Sequence, residues 1–301
     1  MTDIQPASPV VSVVTRTLGH LPFLNRVRTC LEASTSSPAI DWIIVDDEVG
    51  GSPALDEFVS GAASTGRIKA RLVKSLRRHR AKAANAGLTA AHGDFIHFLD
   101  DDDQICSDFY RHTIAALTQN ERVGAAAVKC EAVMERPSLD GGSFIEISRT
   151  PHYPEVTHIT LASLAATQTI PLISVLFRSD AVRKAGLFDV TFETCEDYEF
   201  LLRFLAVEDI MLLKETLASF HRRETPSDRD GNSAVTCDFA TEISHFRNVM
   251  LRRDLNEGKL GLGWLLAMAE LSGGSLKTEK ILSQFYKYSF VNFMFSALRR
   301  R

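Results

Sequence analysis

The sequence predicts an α/β protein: a doubly wound, mostly parallel sheet with helices on both faces, followed by a C-terminal helical appendage. Three observations carry that expectation. The first hundred residues alternate short apolar runs with helix-like stretches. The runs are nearly continuous in apolar character, as strands buried on both faces are, and lack the alternation of half-exposed antiparallel strands. Polar or acidic residues follow them directly, at the carboxyl ends where open α/β sheets take their ligands.

The elements follow in order. Residues 10–15 form a β-branched run, then 21–33 read as a helix. Residues 41–46 are a second apolar run ending in acids, and 67–74 a third strand, with helical segments at 53–63 and 80–91. Residues 94–99 are the fourth strand. Beyond it, 107–118 look helical and 123–134 contain a strand. The stretch 135–154, rich in Pro, Gly and Ser, reads as loop with one strand at 144–147. Residues 172–177 are strand-like, 179–185 form a short helix stopped by Gly186, and 196–206 a helix with Phe200, Leu201, Phe204 and Leu205 on its apolar face. Residues 225–233 are polar and turn-rich, the composition of a mobile loop. From 238 onward the chain is helical, with breaks near Gly258 and Gly273-Gly274.

Composition excludes several classes. With 301 residues, 45% hydrophobic and 24% charged, the chain supports a real core. A net charge of −4 points away from nucleic acid as a partner. The five cysteines (Cys30, Cys106, Cys130, Cys195, Cys237) form no C-x-x-C pair, which argues against structural zinc and fits reduced thiols in a cytoplasmic protein. The N-terminal residues lack the basic and apolar regions of a signal peptide. The longest apolar stretch, 260–271, is too short to span a membrane and contains Glu270.

The chemistry concentrates at Asp100-Asp101-Asp102-Asp103, after the fourth strand. Adjacent carboxylates repel one another in a dry site and become favourable beside a cation. Hard divalent ions such as Mg²⁺ or Mn²⁺ prefer such oxygen ligands. In extended backbone, residues two apart face the same side, so Asp100 and Asp102 can aim together. Thr15-Arg16-Thr17 after the first strand and Asp46-Asp47 after the second bring further polar groups to the same rim.

The segment Ala84-Asn85-Ala86-Gly87-Leu88, continuing through Gly93 to Asp103, resembles the hallmark of inverting family 2 glycosyltransferases with the GT-A fold. Val11–Thr15 and Ile43–Asp47 match the family's first two strand ends. Phe177-Arg178-Ser179-Asp180, Gly186-Leu187-Phe188-Asp189 and Cys195-Glu196-Asp197-Tyr198 resemble the approach to its Glu-Asp catalytic motif. The resemblance runs in order from about residue 10 to 223. It implies a metal-dependent enzyme that moves a sugar from a nucleotide diphosphate, with UDP favoured, to a saccharide or lipid-linked hydroxyl acceptor, as in surface polysaccharide or glycolipid synthesis. Thr15, Arg16, Thr17 and Asp46 or Asp47 would contact the nucleotide. Asp100 and Asp102 would form the D-x-D pair that holds Mn²⁺ or Mg²⁺, chiefly on Asp102 with Asp100 a further ligand, and Asp101 is a ribose candidate. Asp197 would be the general base, with Glu196 beside it. A carboxylate pair starting a helix also suits the dipole without any catalysis.

The sequence departs from the family at Ala84, where an Arg usually precedes Asn85, and at Thr15-Arg16-Thr17, which replaces Thr-Tyr-Asn. Arg78, Arg80 or Lys82 is then left to reach the diphosphate. His221, ahead of Arg222 and Arg223 and placed after a strand, is a further metal ligand or a phosphate contact. On this reading 1–235 is the catalytic domain, with 1–105 its nucleotide-binding half and 106–235 its acceptor-binding half, and 236–301 is the helical region. Phe285, Tyr286, Tyr288, Phe290, Phe293, Met294 and Phe295 precede Arg299-Arg300-Arg301. They suit contact with the inner membrane face, and packing or homo-oligomer contacts explain them equally. The rival function is a nucleotide-sugar-binding regulatory or assembly protein without transferase activity. Intact Glu196-Asp197 argues against it.

Overall fold

A computed structural model describes residues 10–34, 38–62, 66–75, 77–138, 144–223 and 239–273. The sequence-predicted segment 225–233 and the aromatic terminal stretch lie outside these residues. Contacts divide the chain into two units, one through Phe246 and one from Arg247.

The first unit begins β1 (Val10–Thr17), α1 (Leu21–Ala33), β2 (Ala39–Asp46), α2 (Pro53–Ala62), β3 (Ile68–Lys74), α3 (Arg80–Ala90) and β4 (Phe95–Phe98). The order β3-β2-β1-β4 is wholly parallel. All four residues of β4 are buried, as are most of β1 and β2, which is why these strands read as unbroken apolar runs. Gly87 lets α3 lie close against them. A Cβ there would stand 2.3 Å from Val14 Cγ1 and 3.0 Å from Val45 Cγ2.

After β4 come β5 (Gln104–Ile105), α4 (Phe109–Gln119), β6 (Ala125–Pro137), β7 (Phe144–His152) and α5 (Leu161–Ala166). Then follow β8 (Val175–Arg178), α6 (Ser179–Ala185), α7 (Glu196–Leu205) and β9 (Ile210–Arg223). Here the sheet changes polarity. β8 is antiparallel to β4 and β6, β6 runs parallel to β9, and β5 and β7 add antiparallel partners. Gly186, at φ 84, ends α6 as its sequence position implies.

The stretch 135–154 departs from its loop reading. β6 continues to Pro137 and β7 runs over nine residues, pairing Cys130 with His152 through Pro137 with Phe144. β7 contains the strand expected at 144–147 and extends it through 148–152, where no apolar alternation marks a strand, and its one proline, Pro151, sits where an edge strand tolerates it. His221 likewise lies within β9, not after it.

The second unit contains the later part of α8 (Phe239–Glu257) and α9 (Leu262–Gly273), with the break at Gly258, φ 63. Buried Asp254 accepts the backbone N–H groups of Gly261 and Trp264 at 3.0 and 2.9 Å, satisfying donors at the start of α9. No helix among the described residues is long and apolar enough to cross a membrane.

Candidate active site

A cleft of about 420 Å³ opens at the carboxyl ends of β1, β2 and β4, lined by Asp100, Asp101, Asp102 and Asp103. From the sequence-predicted set it also gathers Arg16, Thr17, Asp47, Arg78, Arg80, Asp197 and His221. Thr15, Asp46, Lys82 and Asn85 do not line it. Thr15 is fully buried, and its hydroxyl accepts the Trp42 indole N–H at 2.9 Å. Asp46 turns back on its own loop, accepting Glu48 N at 3.2 Å and Ser52 N at 2.9 Å. Lys82 is exposed outside the cleft. The Asn85 amide ties α3 to Phe188 through that residue's backbone O and N, at 2.9 and 2.8 Å.

Asp47 acts on the backbone beside the cleft. Its oxygens accept Arg77 N at 3.2 Å and His79 N at 2.6 Å, holding the turn that leads into α3. Arg78 in that turn adopts φ 46, unusual for a residue with a side chain. Arg80 then opens α3, whose first turn contains no acid, so two cations stand at the positive end of a helix dipole. Cations are disfavoured there, whereas an anion would be stabilised.

The four carboxylates differ sharply in partners. Arg16 Nε and Nη2 grip both oxygens of Asp100 at 2.8 and 2.7 Å. Burial alone would raise the Asp100 carboxyl, but Arg16, with Arg80 behind it, holds it below its ordinary value. The Thr17 hydroxyl donates to Asp101, yet burial and the adjacent Asp102 push that carboxyl up to about 8. Asp103 accepts His221 N at 2.9 Å and is raised well above the usual range by burial, then by Asp102 and Asp100. Asp102 pairs through one oxygen with Arg223, while its other oxygen meets no protein donor among the described residues.

Arg223, 2% exposed, stacks over Phe23 at 4.6 Å and Phe144 at 5.6 Å. Nearby, Arg26 donates to the Asp102 backbone O at 2.7 Å and to Glu135 Oε1 at 2.9 Å. The His221 ring lies between carboxylates, with Nε2 3.7 Å from Glu135 Oε1 and Nδ1 4.0 Å from Asp103 Oδ1. Burial and three neighbouring arginines drop its pKa to about 3, so the imidazole is neutral.

On the opposite wall, α7 starts with Glu196 and Asp197. Cys195 before them adopts φ 69, a strained left-handed turn that sets the direction in which the helix enters. Glu196 is 2% exposed and sits beneath Arg16, so it does not face the cleft. Asp197 does. Its Oδ1 accepts Tyr198 N at 2.7 Å and its Oδ2 accepts Gln168 Nε2 at 2.9 Å. Burial, then Glu196, raises its pKa against the opposing effects of Gln168, Arg80 and Tyr198 N. Glu199, the third acid of this turn, is held instead by Arg203 one turn on, which takes both of its oxygens.

Among the described residues, no three His, Cys, Asp or Glu side chains are arranged to hold a metal by themselves. Asp100 has both oxygens engaged by Arg16. The oxygen of Asp102 left open by Arg223, beside the neighbouring carboxyls Asp101 and Asp103, suits a hard cation held by one carboxylate plus substrate phosphates.

Sequence reasoning missed Gln168, Arg223 and the aromatic wall of Phe23 and Phe144. Arg223 stands in the His221-Arg222-Arg223 run that the sequence singles out, where only His221 is given a role. Gln168 belongs to no motif.

Residues 12–162 match the model of glycosyl transferase family 2. An uncharacterized glycosyltransferase of Haemophilus influenzae is 24% identical over 214 residues, covering 69% of this chain and 68% of that protein. Among solved structures, S. aureus TarS 1–349 in complex with UDP overlaps with a TM-score of 0.57 at 17% identity, covering 90% of this chain and 68% of that one. The Pyrobaculum calidifontis mannosyltransferase PcManGT, in complex with GDP-Man and Mn²⁺, overlaps with a TM-score of 0.56 at 16% identity, covering 96% and 83%. These overlaps show that the fold is GT-A.

Proposed function

Since the chain belongs to glycosyl transferase family 2, and is therefore a glycosyltransferase, we propose that it transfers a sugar with inversion from a nucleotide diphosphate to a hydroxyl acceptor. The observation that carries this is the meeting, in one cleft, of the Asp100–Asp103 run, the cations Arg78 and Arg80, and Asp197. UDP is the favoured nucleotide and a saccharide or lipid-linked molecule the acceptor. The setting is surface polysaccharide or glycolipid synthesis at the cytoplasmic membrane face. Residues 1–235 act as the catalytic domain.

In this reading Arg78, Arg80 and the start of α3 bind the diphosphate, while Thr17 and Asp101 face the ribose. Asp102 would hold Mn²⁺ or Mg²⁺, which when bound neutralises charge on the departing diphosphate. Asp197 accepts the proton of the acceptor hydroxyl. The acceptor oxygen bonds the sugar carbon as the bond to the diphosphate breaks, and one displacement inverts that carbon. The buried, raised-pKa environment makes Asp197 a stronger base than a solvated aspartate. The neutral His221 imidazole stands beside Asp103 as a candidate second metal ligand or phosphate contact.

The test is a thermal-shift panel of nucleotide sugars with and without Mn²⁺, followed by transfer assays on wild type and Asp197→Asn. Stabilisation by nucleotide and Mn²⁺ together, with transfer lost in the variant, is expected. Full transfer by Asp197→Asn sinks the base assignment. Binding without transfer or donor hydrolysis by wild type favours the non-catalytic rival.

A further inference from the structure

Arg16 does more than line the nucleotide side of the cleft. Its guanidinium joins two acidic motifs that stand 84 and 180 positions away in sequence. One edge holds both oxygens of Asp100, at 2.8 and 2.7 Å, and Nη1 donates to Glu196 Oε1 at 2.8 Å. Nη1 also approaches the Arg80 carbonyl at 3.4 Å. The Arg16 side chain is 11% exposed and that of Glu196 2%. A guanidinium is a planar fork of fixed geometry, so pinning two of its sides fixes the relative direction of both partners. Glu196 is the first residue of α7 and the covalent neighbour of Asp197. The position of Asp197 over the cleft thus depends on a cation delivered by β1. Without Arg16, Asp100 and Glu196 would share a single nearby cation, Arg80, whose Nε stands 3.9 Å from Glu196 Oε1, and the mutual repulsion of the two carboxylates would disfavour the same arrangement.

We propose that Arg16 is a positioning residue: it registers the Glu196-Asp197 motif against Asp100 and thereby aligns the base with the donor, instead of serving as a nucleotide contact. The proposal deepens the transferase reading and rests on it. It also makes Asp102, not Asp100, the leading metal ligand, because Arg16 engages both oxygens of Asp100.

The test uses the full chain as wild type, Arg16→Lys, Arg16→Met and the double variant Arg16→Met/Glu196→Gln. Hydrogen exchange is followed in peptides covering residues 195–200. Both single variants should exchange about tenfold faster at the Tyr198 and Glu199 amides, with β1 and β2 amides unchanged. UDP affinity in the presence of Mn²⁺ should stay within about threefold while kcat falls about 100-fold, the signature of misalignment. Adding Glu196→Gln to Arg16→Met should cost little further, because the two residues act as a unit. Unchanged exchange at 195–200 overturns the proposal, as does weakened UDP binding with kcat retained, which would make Arg16 a nucleotide contact. If Arg16→Met fails to fold, Arg16→Lys, which keeps the charge and loses the fork, decides. A wild type that transfers no sugar refutes the transferase reading, yet the exchange result still judges Arg16 alone.

Discussion

Replacing Gln168 by Leu isolates how Asp197 is held. Gln168 lies in the connection after α5, and its amide donates to Asp197 Oδ2 at 2.9 Å. The substitution removes the donor and keeps a side chain of similar bulk. A hydrogen bond to an ionised acceptor is worth about 1.5–3 kcal/mol. Gln168 is half-buried, so the lower end applies. About 1.4 kcal/mol displaces a protonation equilibrium about tenfold. The sign follows from the forces on Asp197. Burial and Glu196 favour its neutral form, while Gln168, Arg80 and Tyr198 N favour the carboxylate. Deleting one of the latter favours the acid, so the base appears only at higher pH. The acidic limb of kcat/KM should therefore move upward, with the loss about tenfold on that limb and shrinking as pH rises. The assay is initial-rate transfer across the acidic limb, with UDP affinity measured alongside as a control that should not change. A limb that stays in place, or moves to lower pH, refutes the assignment of Asp197 as the titrating base held by Gln168.

Three further outcomes are expected. Asp102→Ala should lose Mn²⁺-dependent UDP binding by calorimetry, whereas Asp100→Ala should retain it, since Arg16 already occupies Asp100. Gly87→Ala should lower the melting temperature, because a methyl 2.3 Å from Val14 Cγ1 overpacks the contact by about 1–3 kcal/mol, only partly offset by helix propensity. His97 hydrogen-bonds the Tyr110 hydroxyl and the Ile173 carbonyl, and burial drops its pKa to about 4. Below the unfolded value of about 6.5, the unfolded chain binds the proton that the folded one refuses, so stability falls as pH drops from there towards 4. His97→Gln should flatten that part of a stability–pH curve from urea titrations, with a residual slope from His152 and His221.

The Asp100–Asp103 run was legible because buried parallel strands write themselves as apolar runs, and the run stops where the rim begins. How far a strand continues past its apolar residues was not. β1 extends to Thr17, two residues beyond its apolar run, which leaves Thr15 below the rim and bonded to Trp42. Asp46 closes β2 as expected, but its own turn uses both of its oxygens, a local competition that composition does not reveal. The pairing of Arg223 with Asp102 spans 121 residues and depends on β9 reaching the cleft, which only the sheet order discloses. The strand expected at 144–147 was found, but its extension to His152 was hidden for the opposite reason: an exposed edge strand has no buried face to imprint a pattern.

The reversal of sheet polarity between β4 and β8 also orders events during synthesis. Strands β1 to β4 are contiguous in sequence and joined by short crossovers, so the parallel half can pair as it leaves the ribosome. β8 must emerge before β4 gains its second neighbour, and β9, after β7 and β8, is the last strand to join β6. Arg16 and Asp100 both belong to the part of the chain made before Glu196, so the socket for Glu196 is encoded entirely upstream of the helix that bears the base.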